Sequence, residues 1–279
     1  MADGPGGIRL SIFGTPEESD TDVCHEMVAY PSGTCFANTW NSDIAYEFGA
    51  CVRDDLEYSN IEGWLAPGIN IHRNPLNGRN FEYMSEDPLL AGKTGAYVTF
   101  GVQYDEDTNP TGRFVTIKHF ACNNIEYERG VSDSVVSERA LREIYLRGFE
   151  ICIKESKPNT LMTSYNKING VWSHYNYDLV TTILRKEWGY DGVVITDWWM
   201  QKSASPEFPK MKDNAYRVRA QVDVLMPGGN RAGARRPDGT LLKTYGKENG
   251  ISLGELQFTA ENVLHLCLKK IRHAGKETE

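Results

Sequence analysis

A short apolar β-rich run, a polar loop and an amphipathic helix recur in that order along the chain. This alternation restricts the fold to architectures built on a parallel sheet covered by helices. Val115–Ile117 leads into Lys118-His119-Phe120, and Glu138–Lys154 then carries Leu141, Tyr145, Phe149 and Cys152 at helical spacing, with Ser137 placed as N-cap. Thr160–Ser164 precedes the loop Tyr165–Gly170 and a helix, Leu179–Trp188, that Gly189 stops. Gly192–Thr196 runs into Asp197-Trp198-Trp199, and the unbroken apolar Val193–Ile195 suits a strand covered on both faces. Further strands are expected at Trp64–Ile71, around Gly33–Phe36 and at Val222–Met226, and a last helix at Leu253–Arg272. Lys202–Asp213 reads as a surface insertion, Asn230–Asn249 as a long polar loop, and the residues around Thr278 as a frayed end.

Such alternation over most of 279 residues fits either a doubly wound sheet or a barrel. Polar residues suited to chemistry follow the strands: Arg79, Lys118-His119, Tyr165 and Asp197. In a barrel the loops after the strands converge at one face, whereas an open sheet divides them between two sides of a crevice. The expected class is therefore α/β, a (β/α)8 TIM-type barrel. Asp3-Gly4-Pro5 reads as the exit of a strand with almost nothing before it, so the barrel is expected to be incomplete at its first strand, with raw edges beside the gap.

Charge narrows the partners. Lys plus Arg number 30 against 38 Asp plus Glu, a net charge of −8. That balance argues against nucleic acid or an anionic membrane surface as partner, since both reward clustered positive charge. No run approaches the ~20 apolar residues of a membrane span, and no basic-then-apolar leader opens the chain. The six cysteines form no C-x-x-C pair, and Cys122 and Cys152 sit in apolar surroundings suited to a core. These features lean towards a reducing, cytoplasmic setting.

Asp197 is the sharpest chemical candidate. A carboxylate ending a buried strand and followed by two tryptophans supplies a nucleophile or ion-pair partner for an oxocarbenium ion, beside an indole able to stack on a pyranose. The same residues also fit an Asp that caps the next turn between two packing indoles. Lys118-His119 offers donors for vicinal hydroxyls, or a Schiff-base lysine of the aldolase type, or simply a solvated Lys beside a satisfied His. Arg79, in a Gly-containing loop, suits bidentate bonds to hydroxyls or a pairing with Glu82. Glu86 and Asp87, just before Pro88, mark the start of a helix. His72, His119 and His174 lack metal-ligand spacing, and no Gly-rich phosphate loop or G-x-S-x-G elbow occurs, so neither metal nor cofactor is expected.

Taken in order, several segments resemble glycoside hydrolase family 3, in particular its β-glucosidase branch. They are Asp3-Gly4-Pro5 with Gly7-Ile8-Arg9, Pro67–Ile71, Gly78–Tyr83, Ser85–Pro88, Lys118-His119-Phe120 with Asn123-Asn124, Ser164-Tyr165-Asn166 with Asn169-Gly170, and Thr196–Trp199. The likeness holds from Met1 to about Gly229. It implies a retaining, exo-acting hydrolase of terminal β-linked glucose, with Asp197 as nucleophile and Asp3, Arg79, Lys118, His119, Tyr165 and Trp198 lining the sugar pocket, close to Arg9. Arg79 and Lys118 are expected to keep Asp197 ionised. In this branch the general acid/base is a Glu of a second α/β domain. The alternative, an Asp-His pair soon after Lys-His, is not present where the sequence reads Asn123–Tyr127. Residues 1–279 are therefore expected to be one catalytic barrel domain, N-terminally truncated, whose acid/base comes from a missing domain or a partner chain. The resemblance leaves open a β-xylosidase preference and a silent sugar-binding fragment.

Overall fold

The structure is a computed structural model that describes residues 1–9, 27–200, 216–226 and 244–274, with side chains through residue 269. Among the described residues eight strands form: β1 (Gly63–Trp64), β2 (Phe114–Phe120), β3 (Asp133–Ser134), β4 (Thr160–Thr163), β5 (Lys167–Ile168), β6 (Val171–Trp172), β7 (Val193–Trp198) and β8 (Val224–Met226). The principal helices are α1 (Gly33–Asn38), α2 (Ser42–Tyr58), α3 (Pro88–Gln103), α4 (Glu138–Ala140), α5 (Arg147–Ser156), α6 (Tyr216–Arg219) and α7 (Leu253–Ala274).

β1, β2, β4, β7 and β8 lie side by side in that order, all parallel, and curl into a half-barrel. The sheet extends one residue beyond β1. Ala2 N–H donates to Gly63 O at 2.9 Å and Leu65 N–H donates to Ala2 O at 2.8 Å, a parallel bridge where a first strand was expected.

Alternation along the strands builds two apolar layers. Val115, Ile117, Leu161 and Val194 face α2, α3 and α5, packing with Val52, Val98, Leu146 and Phe149. Each such side chain, buried completely, is worth about 1.5–3 kcal/mol. Leu65, Met162, Val193 and Ile195 point to the other face, where Val263 and Leu266 of α7 cover them. In a complete barrel that concave side is filled by side chains from the remaining strands. Here a helix lies against it.

Several local expectations are corrected. Gly33–Phe36 is not a strand but part of α1, because Ser32 caps the turn by accepting a hydrogen bond from Cys35 N–H at 3.3 Å. A short apolar run does not distinguish the two states. Of Trp64–Ile71 only the start is a regular strand; Pro67 brings no N–H, and Gly68 returns as a lone bridge to Lys118. Within the loop Tyr165–Gly170, Lys167–Ile168 pairs with Val171–Trp172 as an antiparallel hairpin. The Glu138–Lys154 helix forms with the cap from Ser137, yet Leu141–Tyr145 winds as a π-helical turn. Leu179–Trp188 likewise forms as a π-helical run, Asp178–Glu187. Asp87 caps α3, and Cys122 and Cys152 are buried. Lys202–Asp213, most of Asn230–Asn249 and Thr278 lie outside the described residues.

Candidate active site

The parallel sheet carries its chemistry at one end. Lys118 and His119 sit near the end of β2, Asp197 and Trp198 end β7, and Tyr165 follows β4 by two residues. With Asp3 they line one cavity of about 400 Å³, together with Arg9, Arg129, Leu65, Met162 and Trp199 among others. Arg79 is not among the lining residues; it joins the group through His119.

Each side chain has a reason to stand where it does. Asn70 behaves as an extra strand partner for His119, accepting from its backbone N–H at 2.7 Å and donating to its carbonyl at 2.9 Å. The short helical turn Asn80–Glu82 after Arg79 folds Glu82 inward, where it accepts a charged hydrogen bond from Arg79 Nε and lies 3.4 Å from Lys118 Nζ. Lys118 Nζ in turn donates to Asp3 Oδ1 at 2.7 Å, while Asp3 Oδ2 accepts from Arg9 at 2.9 Å. Glu82 was foreseen as a support for Arg79, and it supports Lys118 as well. His119 Nε2 lies 2.9 Å from Arg79 Nη2, and Nδ1 lies 3.1 Å from the Tyr83 phenol, which Asn123 also contacts at 3.0 Å. On the opposite wall the Tyr165 phenol donates to Trp198 O at 2.8 Å, and the Arg129 guanidinium sits 4.4 Å from the centre of the Tyr165 ring.

Asp197 is held by one oxygen only. Its Oδ1 accepts from Trp198 N–H at 2.7 Å. Its Oδ2 is 3.6 Å from His119 Nε2 and is buried with no partner of ordinary hydrogen-bond geometry. Burial raises the Asp197 carboxyl from 3.8 to about 6, against the Trp198 N–H, the Arg79 and Lys118 cations and the nearby Tyr165 phenol, which all favour the charged form. The expected cationic influence is therefore present and outweighed. At pH 7 the carboxylate form still leads by roughly ten to one. His119 moves the other way: burial, then Arg79, Lys118 and Arg129, hold it well below its ordinary value, so the ring is neutral. For Asp3, burial is outweighed by Lys118, the Gly4 N–H and Arg9, and the carboxyl lies below its usual range.

Chemically, the arrangement presents one unshared carboxylate oxygen, a set of fixed donors, and an indole and a phenol as walls. A pyranose fits these elements, with hydroxyls for the donors and a C–H face for the rings. Tyr83, Asn70 and Asn123 fell within quoted motif segments but carried no role from spacing alone. Arg129 sat in a charged run, where a single sequence offers no signal to separate it from solvated neighbours. His72 bonds Asn80 O at 2.9 Å and His174 packs against Tyr175, so the three histidines do not meet. Among the described residues no group of three or more His, Cys, Asp or Glu side chains forms a candidate metal site, and no helix is long and apolar enough to cross a membrane.

Residues 1–237 match the Glycosyl hydrolase family 3 N terminal domain. The chain is 41% identical over 281 residues to a β-glucosidase of Ruminococcus albus, covering 99% of this chain and 27% of that protein. It is 41% identical over 198 residues to an exo-α-(1→6)-L-arabinopyranosidase of Bifidobacterium longum, across 71% of this chain and 25% of that one. Among solved structures, β-glucosidase 3B from Thermotoga neapolitana in complex with glucose superposes with a TM-score of 0.83 at 36% identity, covering 98% of this chain and 36% of that one. The chain thus spans about a quarter of the length of these curated relatives. The matched span, the identity and the shared half-barrel together place this chain in glycosyl hydrolase family 3.

Proposed function

We propose that this chain supplies the sugar pocket and the nucleophile of a retaining, exo-acting β-glycosidase of β-glucosidase type. The observation that carries the reading is Asp197: one oxygen pinned by a backbone N–H, the other buried, unshared and beside the cavity. Oδ2 attacks the anomeric carbon as the bond from that carbon to the aglycone oxygen breaks, giving a glycosyl ester. The leaving oxygen takes a proton from an acid, and water later releases the sugar by attack at the same carbon. Lys118, His119 and Asp3 act on the hydroxyls of the terminal sugar, with Arg79 acting through His119, and Trp198 and Tyr165 on its flank. Donors that tighten as charge develops at the ring lower the barrier rather than only deepening binding.

The proton donor is expected from a second α/β domain or a partner chain. Asp3 and Glu82, the other carboxylates of the site, are both committed to cations. That commitment also favours a second reading, a sugar-binding fragment that turns nothing over. Names among the relatives favour glucose, with arabinopyranose beside it, and a xylose preference stays within the same pocket chemistry.

The test uses a 2-deoxy-2-fluoro-β-glucoside with a dinitrophenyl leaving group, which needs little protonation, followed by peptide mass mapping. A covalent sugar on the peptide holding Asp197, absent in Asp197→Asn, is the expected result. A folded protein that binds glucose without acquiring a label would favour the silent fragment. Label on another residue would overturn the assignment.

A further inference from the structure

We propose that Tyr83 is a positioning residue that, together with Arg79, fixes the tautomer of His119 and thereby leaves the outer oxygen of Asp197 unbonded. The inference rests on the reading of Asp197 as nucleophile. Tyr83 is completely buried and does not line the cavity, so it acts only through His119.

The argument starts from Arg79. Its Nη2 is 2.9 Å from His119 Nε2, and a guanidinium has donors but no acceptor, so Nε2 must present its lone pair. His119 is buried beside the Arg79 and Lys118 cations and is neutral, which leaves its single N–H on Nδ1. That N–H donates to the Tyr83 phenol oxygen at 3.1 Å. The phenol proton then needs an acceptor of its own. The Asn123 carboxamide stands 3.0 Å away with Nδ2 towards the phenol, and its Oδ1 is buried without a partner. A half-turn of that amide places Oδ1 on the phenol proton, and the chain runs in one direction from Nδ1–H through the Tyr83 hydroxyl to Asn123.

The other tautomer would alter the reacting group. A hydrogen on Nε2 would oppose the Arg79 N–H and would lie towards Asp197 Oδ2, 3.6 Å away. A carboxylate oxygen that accepts a hydrogen bond gives up part of the charge it needs for attack. Tyr83 and Asn123 disfavour that state by rewarding Nδ1–H on one side of the ring while Arg79 opposes Nε2–H on the other, and the nucleophile keeps a free oxygen.

The tautomer is read directly by long-range proton–nitrogen correlation on the nitrogen-15-labelled chain. The chain has six histidines, and the signals of His119 are those lost in His119→Gln. The expected pattern is a protonated-type Nδ1 and an unprotonated-type Nε2. A protonated Nε2, or an averaged pair of nitrogens, in the unaltered protein overturns the proposal. In Tyr83→Phe the Arg79 contact remains but Nδ1–H loses its acceptor, so the two nitrogens should average towards a mixture of tautomers, and an unchanged pattern would show that Arg79 suffices and Tyr83 is not part of the lock. Should that variant fail to fold, Asn123→Ala frees the phenol proton to turn on Nδ1; it should mix the tautomers, and no change there likewise overturns the relay. Labelling of Asp197 by the activated fluoroglucoside should slow about tenfold in Tyr83→Phe, the size of one hydrogen bond. The spectra need no turnover. An unlabelled wild type therefore sinks the nucleophile reading, while the lock is decided by the spectra alone.

Discussion

Lys118 Nζ meets Asp3 Oδ1 at 2.7 Å across 115 residues of sequence, and the same ammonium lies 3.4 Å from Glu82 Oε2. One buried cation therefore ties the start of the chain, the β2 end and the Arg79 loop into one wall. Removing it in Lys118→Met leaves Glu82 to Arg79 alone and Asp3 to Arg9 alone. A loss of about 2–3 kcal/mol in urea unfolding is expected, below the full value of a broken buried pair because Asp3 is partly solvated. Asp3→Asn keeps the shape and one acceptor and should cost about 1 kcal/mol. Equal losses from the two variants would contradict this account.

Asp197 fixes a pH dependence whose sign follows from its raised carboxyl. The folded state holds its proton up to about 6, the unfolded chain only to about 3.8. Between those values the folded protein binds more protons, so this group's contribution to stability falls as pH rises through the window. Above about 6 the cost is fully present, roughly 3 kcal/mol from the size of the gap. Asp197→Asn should therefore be more stable than the parent at pH 7 and lose that advantage as pH falls to 4. In the parent, fluoroglucoside labelling should decline below about pH 6 as the carboxylate is protonated. Parallel stability curves for parent and variant would refute the assignment.

How much of this was legible beforehand depends on whether the signal is local. β7 announces itself by the unbroken apolar Val193–Ile195 and β2 and β4 by short β-rich runs, and Lys118, His119 and Asp197 follow from standing at the ends of β2 and β7. Gly33–Phe36 does not, because four apolar and small residues suit helix and strand alike until Ser32 is seen to cap them. Tyr83 and Asn123 are silent in sequence, since their role exists only once His119 lies between them and Arg79. The net displacement of Asp197 was also hidden: the cations were visible as residue types, but the burial that outweighs them is a property of the packed site.

The α2–α3 contact gives a pair of glycine variants of opposite sign. A Cβ at Gly101 would stand 2.1 Å from Tyr46 O and 2.7 Å from Ala50 N, both backbone atoms that yield only if the helices part. Gly101→Ala should cost about 2 kcal/mol or more, the overpacking penalty exceeding the helix-propensity gain. Gly254, in the first turn of α7, has nothing within 4 Å of such a Cβ. Gly254→Ala should stabilise by up to about 0.5–1 kcal/mol. Urea midpoints of the two variants moving in the same direction would contradict the packing argument.

Asp223 ties the strand that carries Asp197 to its neighbours. Its Oδ2 accepts from Arg185 Nη2 and from Val194 N–H, each at 2.8 Å, and its Oδ1 accepts from Asn262 of α7 at 3.0 Å. Burial raises the carboxyl even with Arg185 beside it. Arg185→Met would strand a buried carboxylate, a change worth about 3–5 kcal/mol at neutral pH. Asp223→Asn should be milder, because Arg185 keeps the carbonyls of Gly192 and Gln221, each at 3.0 Å. Without its guanidinium the carboxyl titrates still higher, so protonation relieves the strain and the deficit of Arg185→Met should shrink as pH falls from 7 to 5. Unfolding by urea at both pH values reads this directly. A deficit that stays constant would mean that lost packing, rather than the stranded charge, accounts for the loss.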